Sequence, residues 1–388
     1  MSGDFVFHGW RRPDGRIGIR NHCLVLATVS CASGVVREVS RRLSTVVAVE
    51  HAHGCGRGGP DLGLQVKTLA GLVQNPNVGA AVLVGLGCEV TTPLVLKSAA
   101  SASGKPVDTV VIQEVGGSRK AADLVEALAR RLLAELEEMP RQTGTAADLT
   151  VGLKCGGSDT FSGLTANPAV GKLADRLVEL GGTAILGETT EMIGALGPLL
   201  KLAETEEVAA RLKAKVERQE ALAQEILGPL AGRVIAPGNV EGGLTTIAEK
   251  SLGCIAKAGS TPIRQVLDYA DRPSRNGLVV MDTPGYDVET MAGMAAAGAQ
   301  VILFTTGRGT PVGFPAVPVI KISSNSELFE AMTEDIDLDA GTILSGKSAA
   351  EVGEEILALL LRVAGGERIK AEINRQAVFA FAQGGPAF

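Results

Sequence analysis

The feature that most constrains this chain is a repeated alternation. Short, almost wholly apolar runs end in glycine-rich polar loops, and a longer amphipathic stretch follows each one. HCLVLAT (residues 22–28), STVVAVE (44–50), AAVLVGLG (80–87) and DTVVIQE (108–114) each fit a buried strand. Helices are predicted over 33–43, 61–73, 92–103 and 118–138. The pattern resumes in the second half with LTVGLKCGG (149–157), GTAILGE (182–188), GLVVMDTPG (277–285), AQVILFTTGRG (299–309) and VPVIKIS (317–323). Helices are expected there over 168–180, 203–227, 289–297 and 349–363. Unbroken apolar strands alternating with helices predict parallel sheets covered on both faces. The predicted fold class is therefore α/β, with two domains of largely parallel sheet flanked by helices. The second domain is expected to be Rossmann-like.

At 388 residues the chain exceeds the size at which one core stops growing, about 250–300 residues. The turn-rich, aperiodic stretch 140–148 is the natural boundary, giving domains 1–146 and 147–388. Only 3% of residues are aromatic while 49 are glycine, so the core must be built from Ala, Val, Leu and Ile around tight backbone turns. A net charge of −6 with so few aromatics excludes a nucleic-acid partner. The opening MSGDFVFHGWRR lacks the apolar core of a leader, and the longest apolar run, VGAAVLVGLG, cannot span a bilayer. A cytoplasmic protein away from the membrane is expected. Its six cysteines, Cys23, Cys31, Cys55, Cys88, Cys155 and Cys254, are too sparse for a disulfide scaffold, so they are read as free thiols or metal ligands.

The polar residues gather after the strands, where open parallel sheets bind ligands. HAHGCG (51–56) places His51, His53 and Cys55 directly after a strand, a donor set suited to iron, zinc or similar metals. A histidine or cysteine taken singly is most simply a turn or core residue; the triplet favours metal. The same loop satisfies G-x-G-x-x-G through Gly54, Gly56 and Gly59, a dinucleotide-binding alternative. That alternative wants an acidic residue about 20 positions on, and Glu89, at the end of the next strand, comes too late. Cys88, Cys155 and Cys254 also sit beside glycines and could join Cys55 around one iron or an iron–sulfur cluster. KCGGSDTFSG supplies Ser158 and Asp159, and GETTEMIG supplies Glu188 and Glu191 at a helical i, i+3 spacing. PGNVEGGLTTIAEKSLGC supplies Asn239, Glu241, Thr245, Glu249 and Lys250. TTGRG supplies Thr305, Thr306 and Arg308, a guanidinium suited to carboxylates.

In this order the motifs resemble the altronate and galactarate dehydratase family. The resemblance rests on GWRRPDGRIGIRN, HAHGCG, GLGCE, KCGGSDTFSGLTANPAVG, PGNVEGGLTTIAEKSLGC, MDTPGYD and FTTGRG, and covers nearly the whole chain. It implies a lyase acting on a sugar acid to give a 2-keto-3-deoxy acid, with Fe(2+) as the cofactor and Mn(2+) or an iron–sulfur cluster as alternatives. The implied metal ligands are His51 and Cys55, with His53, Cys88, Cys155 and Cys254 as further candidates. Asp159, Glu191 and Lys250 are the implied catalytic residues, and Ser158, Asn239, Thr306 and Arg308 the implied substrate contacts. His53 stands where the family has a small or hydroxyl residue. Fused relatives carry a small N-terminal SAF-type domain, so a separate small SAF-type subunit is an expected partner, within an oligomer. The related sulfolactate sulfo-lyase, whose large (beta) subunit has this extent, makes release of sulfite and pyruvate the alternative reaction. A nicotinamide-dependent oxidoreductase and a non-catalytic scaffold are further alternatives.

Overall fold

The computed structural model describes residues 5–233 and 235–384, so Met1–Asp4 of the stretch read for a leader lie outside the described residues. Its strands are β1 (Val6–Arg11), β2 (Ile17–Gly18), β3 (His22–Ala27), β4 (Val47–Val49), β5 (Val78–Gly85), β6 (Val107–Val111) and β7 (Gln142–Thr145) in the first part. In the second part they are β8 (Thr150–Cys155), β9 (Thr183–Leu186), β10 (Ile263–Leu267), β11 (Gly277–Met281), β12 (Val301–Thr306), β13 (Val319–Ser323) and β14 (Leu338–Asp339). Two sheets are parallel throughout: a four-stranded one ordered β4-β3-β5-β6 and a seven-stranded one ordered β10-β11-β9-β8-β12-β13-β14. This is the α/β architecture the apolar runs predict. All eight residues of β5, VGAAVLVG, are buried, as a strand covered on both faces requires.

Three local readings change. Residues 112–115 leave the strand expected over 108–114 and form a short helix, Ile112–Val115, which Gly116 ends in the left-handed region (φ 83°). Within 140–148, expected to be irregular, β7 pairs antiparallel with β1, which in turn pairs with β2. Neither strand carries the run of apolar residues that betrays the others, because each is half exposed. The helix expected from residue 203 begins at Glu206 instead, because the Thr205 side chain accepts the Val208 N–H and caps it there.

The two parallel sheets share a core. The helices Gly59–Gln74 and Asp287–Ala296 pack between them, joining Leu24, Leu26 and Leu83 of one sheet to Ile185, Val279 and Ile302 of the other. Gly71 lies so close to Ala296 that a Cβ would meet its carbonyl oxygen at 2.6 Å. Buried amides lock the junction: Asn75 Nδ2 donates to the carbonyls of Ala295 and Ala299, and Asn77 Nδ2 to those of Gln300 and Ala316. Near the C-terminus the chain returns to the first sheet. Glu372 pairs with Arg20 at 2.8 Å, and Phe381 packs its ring against His51 and His53. Among the described residues, no helix is long and apolar enough to cross a membrane.

In the large sheet the chain passes from β8 to β9 on one side, while β12 pairs with the other side of β8. The carboxyl end of β8 therefore lies at the switch point where ligands bind in such sheets. KCGGSD follows β8 there, and TTGRG follows β12.

Candidate active site

β8 ends in Lys154 and Cys155, both buried. Successive strand residues face opposite sides of a sheet, so a lysine in this apolar strand needs a buried partner. Lys154 Nζ pairs with Glu188 and with Asp287 Oδ1 at 2.8 Å, and lies over the Phe304 ring. Glu188 itself adopts a left-handed backbone (φ 67°, ψ 56°), unusual for a residue with a side chain, and its N–H is fixed by Thr283 Oγ1 at 2.7 Å. The strained turn aims its carboxylate back at the end of β8, where Oε2 accepts the Cys155 N–H at 3.0 Å and faces Lys257 Nζ at 3.4 Å.

The helix Ile247–Ile255 contributes the opposite wall. Thr246 caps it by accepting the Glu249 N–H, and a further short turn, Ala256–Ala258, extends it. Lys250, Cys254 and Lys257 follow at i, i+4 and i+7 and so share one face. Cys254 Sγ lies 3.5 Å from Cys155 Sγ and accepts from Lys257 Nζ at 2.9 Å. Glu191 completes the group: its Oε2 accepts from the Cys155 thiol at 3.2 Å and its Oε1 pairs with Lys250 at 2.7 Å. One ligand atom each from Cys155, Glu188, Glu191 and Cys254 lies within 4.8 Å of the others, and all four residues are buried, so the group could hold a metal ion.

The electrostatics are those of a dense ionic cluster. Burial works against the Glu191 charge, but Lys250, Lys154 and Lys257 outweigh it and hold its pKa down to about 2. The contact with Cys155 and burial push the Cys254 thiol well up, against the pull of Lys257. Burial also opposes the Lys257 ammonium, which the cysteines and glutamates nonetheless keep charged. Lys250 carries this cluster outward, because it also lines a cleft of about 240 Å³ with Ser158, Asp159, Asn167, Leu244 and Gly253.

The residues singled out from sequence fall into three places. Cys155, Cys254, Glu191 and Lys250 come together in the cluster. Ser158, Asp159, Asn239, Thr306 and Arg308 surround the adjoining loops. Asp159 takes Ser162 Oγ, the Ser162 N–H and Ser324 Oγ on Oδ1 and Asn325 on Oδ2, which holds the loop shape. Gly307 approaches it so closely that a Cβ would lie 2.2 Å from its carboxyl carbon. Asn239 Nδ2 donates to the Ser158 carbonyl, Thr306 Oγ1 accepts the Gly309 N–H, and exposed Arg308 pairs with Glu241 at 2.8 Å.

His51, His53, Cys55 and Cys88 lie apart, at the rim of the small sheet. No hydrogen bond, ion pair or ring contact among the described residues joins them to Arg308 or Cys155. His51 uses both ring nitrogens locally: Nε2–H donates to the Ala27 carbonyl at 2.8 Å and Nδ1 accepts the His53 N–H at 3.2 Å. Cys55 and Cys88 are exposed. Glu188, named from sequence beside Glu191 without a role, also joins the cluster, and Lys154 and Lys257 are the members that sequence reasoning missed. Lys257 had a legible signal, its i+3 spacing from Cys254, and Lys154 had another, a charge inside an apolar strand.

Burial lowers the His51 pKa to about 4, although its bond to Ala27 acts the other way. In the unfolded chain the ring takes a proton near its usual value of about 6.5. Its contribution to stability is therefore full above about pH 6.5 and is lost as pH falls toward 4, about 2 kcal/mol by pH 5. The denaturant midpoint should drop between pH 7 and pH 5, and His51→Gln should remove part of that dependence, leaving the share of His22, whose pKa burial also lowers to about 4. An unchanged slope in the variant would assign the effect to another group.

The family described as D-galactarate/Altronate dehydratase, C-terminal, matches residues 146–387, which include every member of the cluster. The chain belongs to the galactarate/altronate dehydratase family. Residues 9–137 of this dehydratase-family chain match D-galactarate dehydratase/Altronate hydrolase, second domain. Altronate dehydratase of Bacillus subtilis is 34% identical, with 95% of this chain and 76% of that protein covered. Galactarate dehydratase (L-threo-forming) of Escherichia coli is 36% identical over 94% of this chain and 73% of its own length. (2R)-sulfolactate sulfo-lyase subunit beta of Chromohalobacter salexigens is 36% identical over 95% of this chain and 94% of its own length.

Proposed function

We propose that this chain is the catalytic large subunit of a hydro-lyase that removes water from a sugar acid of the altronate or galactarate type, giving a 2-keto-3-deoxy acid. The observation that carries this reading is the Glu191–Lys250 pair, which links a buried Cys/Glu group to an open cleft in a dehydratase-family fold. Elimination needs a base for the proton beside the carboxylate, a cation for the negative charge that develops, and help for the departing oxygen. Glu191, ionised in the free protein, is the base. Its low pKa makes it a weak one while Lys250 is paired with it. A substrate carboxylate that draws Lys250 into the cleft weakens that pairing and raises the basicity of Glu191 on binding. Lys250 then steadies the enolate charge. Arg308 receives the far end of the substrate, a second carboxylate in galactarate and a hydroxyl in altronate, while Asp159, Ser158, Asn239 and Thr306 hold the loops that shape the cleft.

Cys155, Cys254 and Glu188 fit a divalent metal with an open position, leaving the Glu191 carboxylate beside them as the base. Three ammonium groups, on Lys154, Lys250 and Lys257, face three carboxylates, on Glu188, Glu191 and Asp287. Loss of both thiol protons would balance an incoming doubly charged ion. Thiolate ligands favour iron over manganese, and Fe(2+) there would supply Lewis-acid polarisation of a substrate oxygen. The same reading includes a small SAF-type subunit as partner, an oligomeric holoenzyme and a cytoplasmic setting.

Sulfite elimination from sulfolactate is the second reading. It is supported by the 36% identity to (2R)-sulfolactate sulfo-lyase subunit beta over 95% of this chain. Keto-acid formation from altronate and galactarate should be measured beside sulfite release from (2R)-sulfolactate, with the chain alone and co-expressed with a small SAF-type protein. Chelator-sensitive keto-acid formation is the expected result. Sulfite release alone would replace the first reading with the second, and activity on none of the three would remove both.

A further inference from the structure

Three of the six cysteines are buried and three, Cys31, Cys55 and Cys88, are exposed. Unpaired cysteine is among the most buried residue types, so three exposed thiols call for an explanation. Their placement in the fold is not scattered. β4, β3 and β5 are neighbours in the small parallel sheet, and these cysteines lie in the segments that follow β3, β4 and β5 respectively, all at the carboxyl end of that sheet. Hydrogen bonds tie these segments together beside the thiols. The Ser30 N–H, next to Cys31, donates to the His53 carbonyl at 2.8 Å, two residues from Cys55. Thr28 Oγ1 donates to Glu89, next to Cys88, at 3.1 Å, and the Glu89 carboxylate also accepts the Gly87 N–H at 2.6 Å. Gly56 and Gly87, flanking Cys55 and Cys88, take positive φ angles of 77° and 127°, turns that a larger residue would resist.

The spacing distinguishes one ion from several. A tetrahedral ion with metal–sulfur bonds of about 2.3 Å would draw its sulfurs to within about 4 Å of one another. Among the described residues, the Cys155 group is the one set of three or more such ligands within 4.8 Å, so the three rim thiols stand wider apart. A cluster, in which each thiolate binds its own iron, suits that wider triangle.

We propose that Cys31, Cys55 and Cys88 hold an iron–sulfur cluster through three thiolates, with the fourth iron left to an oxygen ligand such as water or a hydroxy acid. Assembly takes two ferrous and two ferric ions with four sulfides, which balances a 4Fe–4S core of charge 2+ without a further oxidant, and each thiol gives up its proton as its sulfur binds iron. The site is separate from the Cys155 group and does not rest on the lyase reading. The test is anaerobic reconstitution of the full chain with equal amounts of ferrous and ferric iron and with sulfide, read by metal and sulfide analysis and by visible absorption. About four iron and four sulfide per chain are expected. Cys31→Ser, Cys55→Ser and Cys88→Ser should each lose most of the cluster absorption, with unchanged circular dichroism because all three side chains are exposed. Cys155→Ser should keep the absorption whether or not it retains activity. Uptake of at most one iron without sulfide, or a triple variant that binds as much iron and sulfide as the parent, would overturn the proposal.

Discussion

Glu191→Gln should lower kcat by about 10²–10⁴-fold, the usual contribution of a positioned base, with KM changed far less. The substitution keeps the side chain's size and an oxygen for Lys250, and Lys250 lines the open cleft, so folding should survive. Glu191→Asp should restore part of the rate, whereas Glu135→Gln on the exposed face of the helix Ser118–Glu137 should change nothing. The pH profile adds a readout that a structural role would not give. With its pKa held to about 2 in the free protein, Glu191 is ionised at every workable pH, so it should give kcat/KM no acid limb above about pH 3. Once substrate has taken Lys250, the carboxyl returns toward ordinary values, and kcat should acquire an acid limb that kcat/KM lacks. A Gln variant retaining more than about a tenth of kcat would move the base elsewhere.

Much of this arrangement is legible in the sequence, and the remainder fails for identifiable reasons. Strands buried on both faces, such as β5 and β12, announce themselves because every position must be apolar. β10 interleaves Arg264 and Gln265 with apolar residues at a sheet edge, and β1 and β7 meet across more than a hundred residues, so neither leaves a comparable local signature. Likewise the motifs that carry the family resemblance mark Cys155 and Cys254 separately. No local rule brings together two thiols 99 residues apart. Their meeting follows from the order of strands around β8, which sequence periodicity does not encode. In the HAHGCG loop the fold separates the histidines from the thiol, since Cys55 stays exposed. Both nitrogens of His51 meet backbone partners and the Phe381 ring packs against both histidines, contacts that only the fold reveals.

Lys154→Met should be the most destabilising single change in the cluster. Lys154 and Glu188 are both fully enclosed, and the lysine holds Glu188, Asp287 and the Cys155 carbonyl at once. Removing it leaves the left-handed Glu188 turn with a buried carboxylate whose remaining cation, Lys257, is 3.4 Å away and shared with Cys254. Breaking one side of a buried pair costs about 3–5 kcal/mol, an order of 10 °C in melting temperature for a domain of this size. A methionine fills the space of the lysine stem against Phe304, so the loss is electrostatic rather than a cavity. The double variant Lys154→Met with Glu188→Gln removes the orphaned charge and should recover most of the melting temperature. Its activity should stay low, because the carboxylate is also one of the four clustered ligand groups. A Lys154→Met chain melting with the parent would mean that Lys257 and the Cys155 N–H alone hold Glu188 ionised. The strained turn would then owe its shape to Thr283 rather than to the charge behind it.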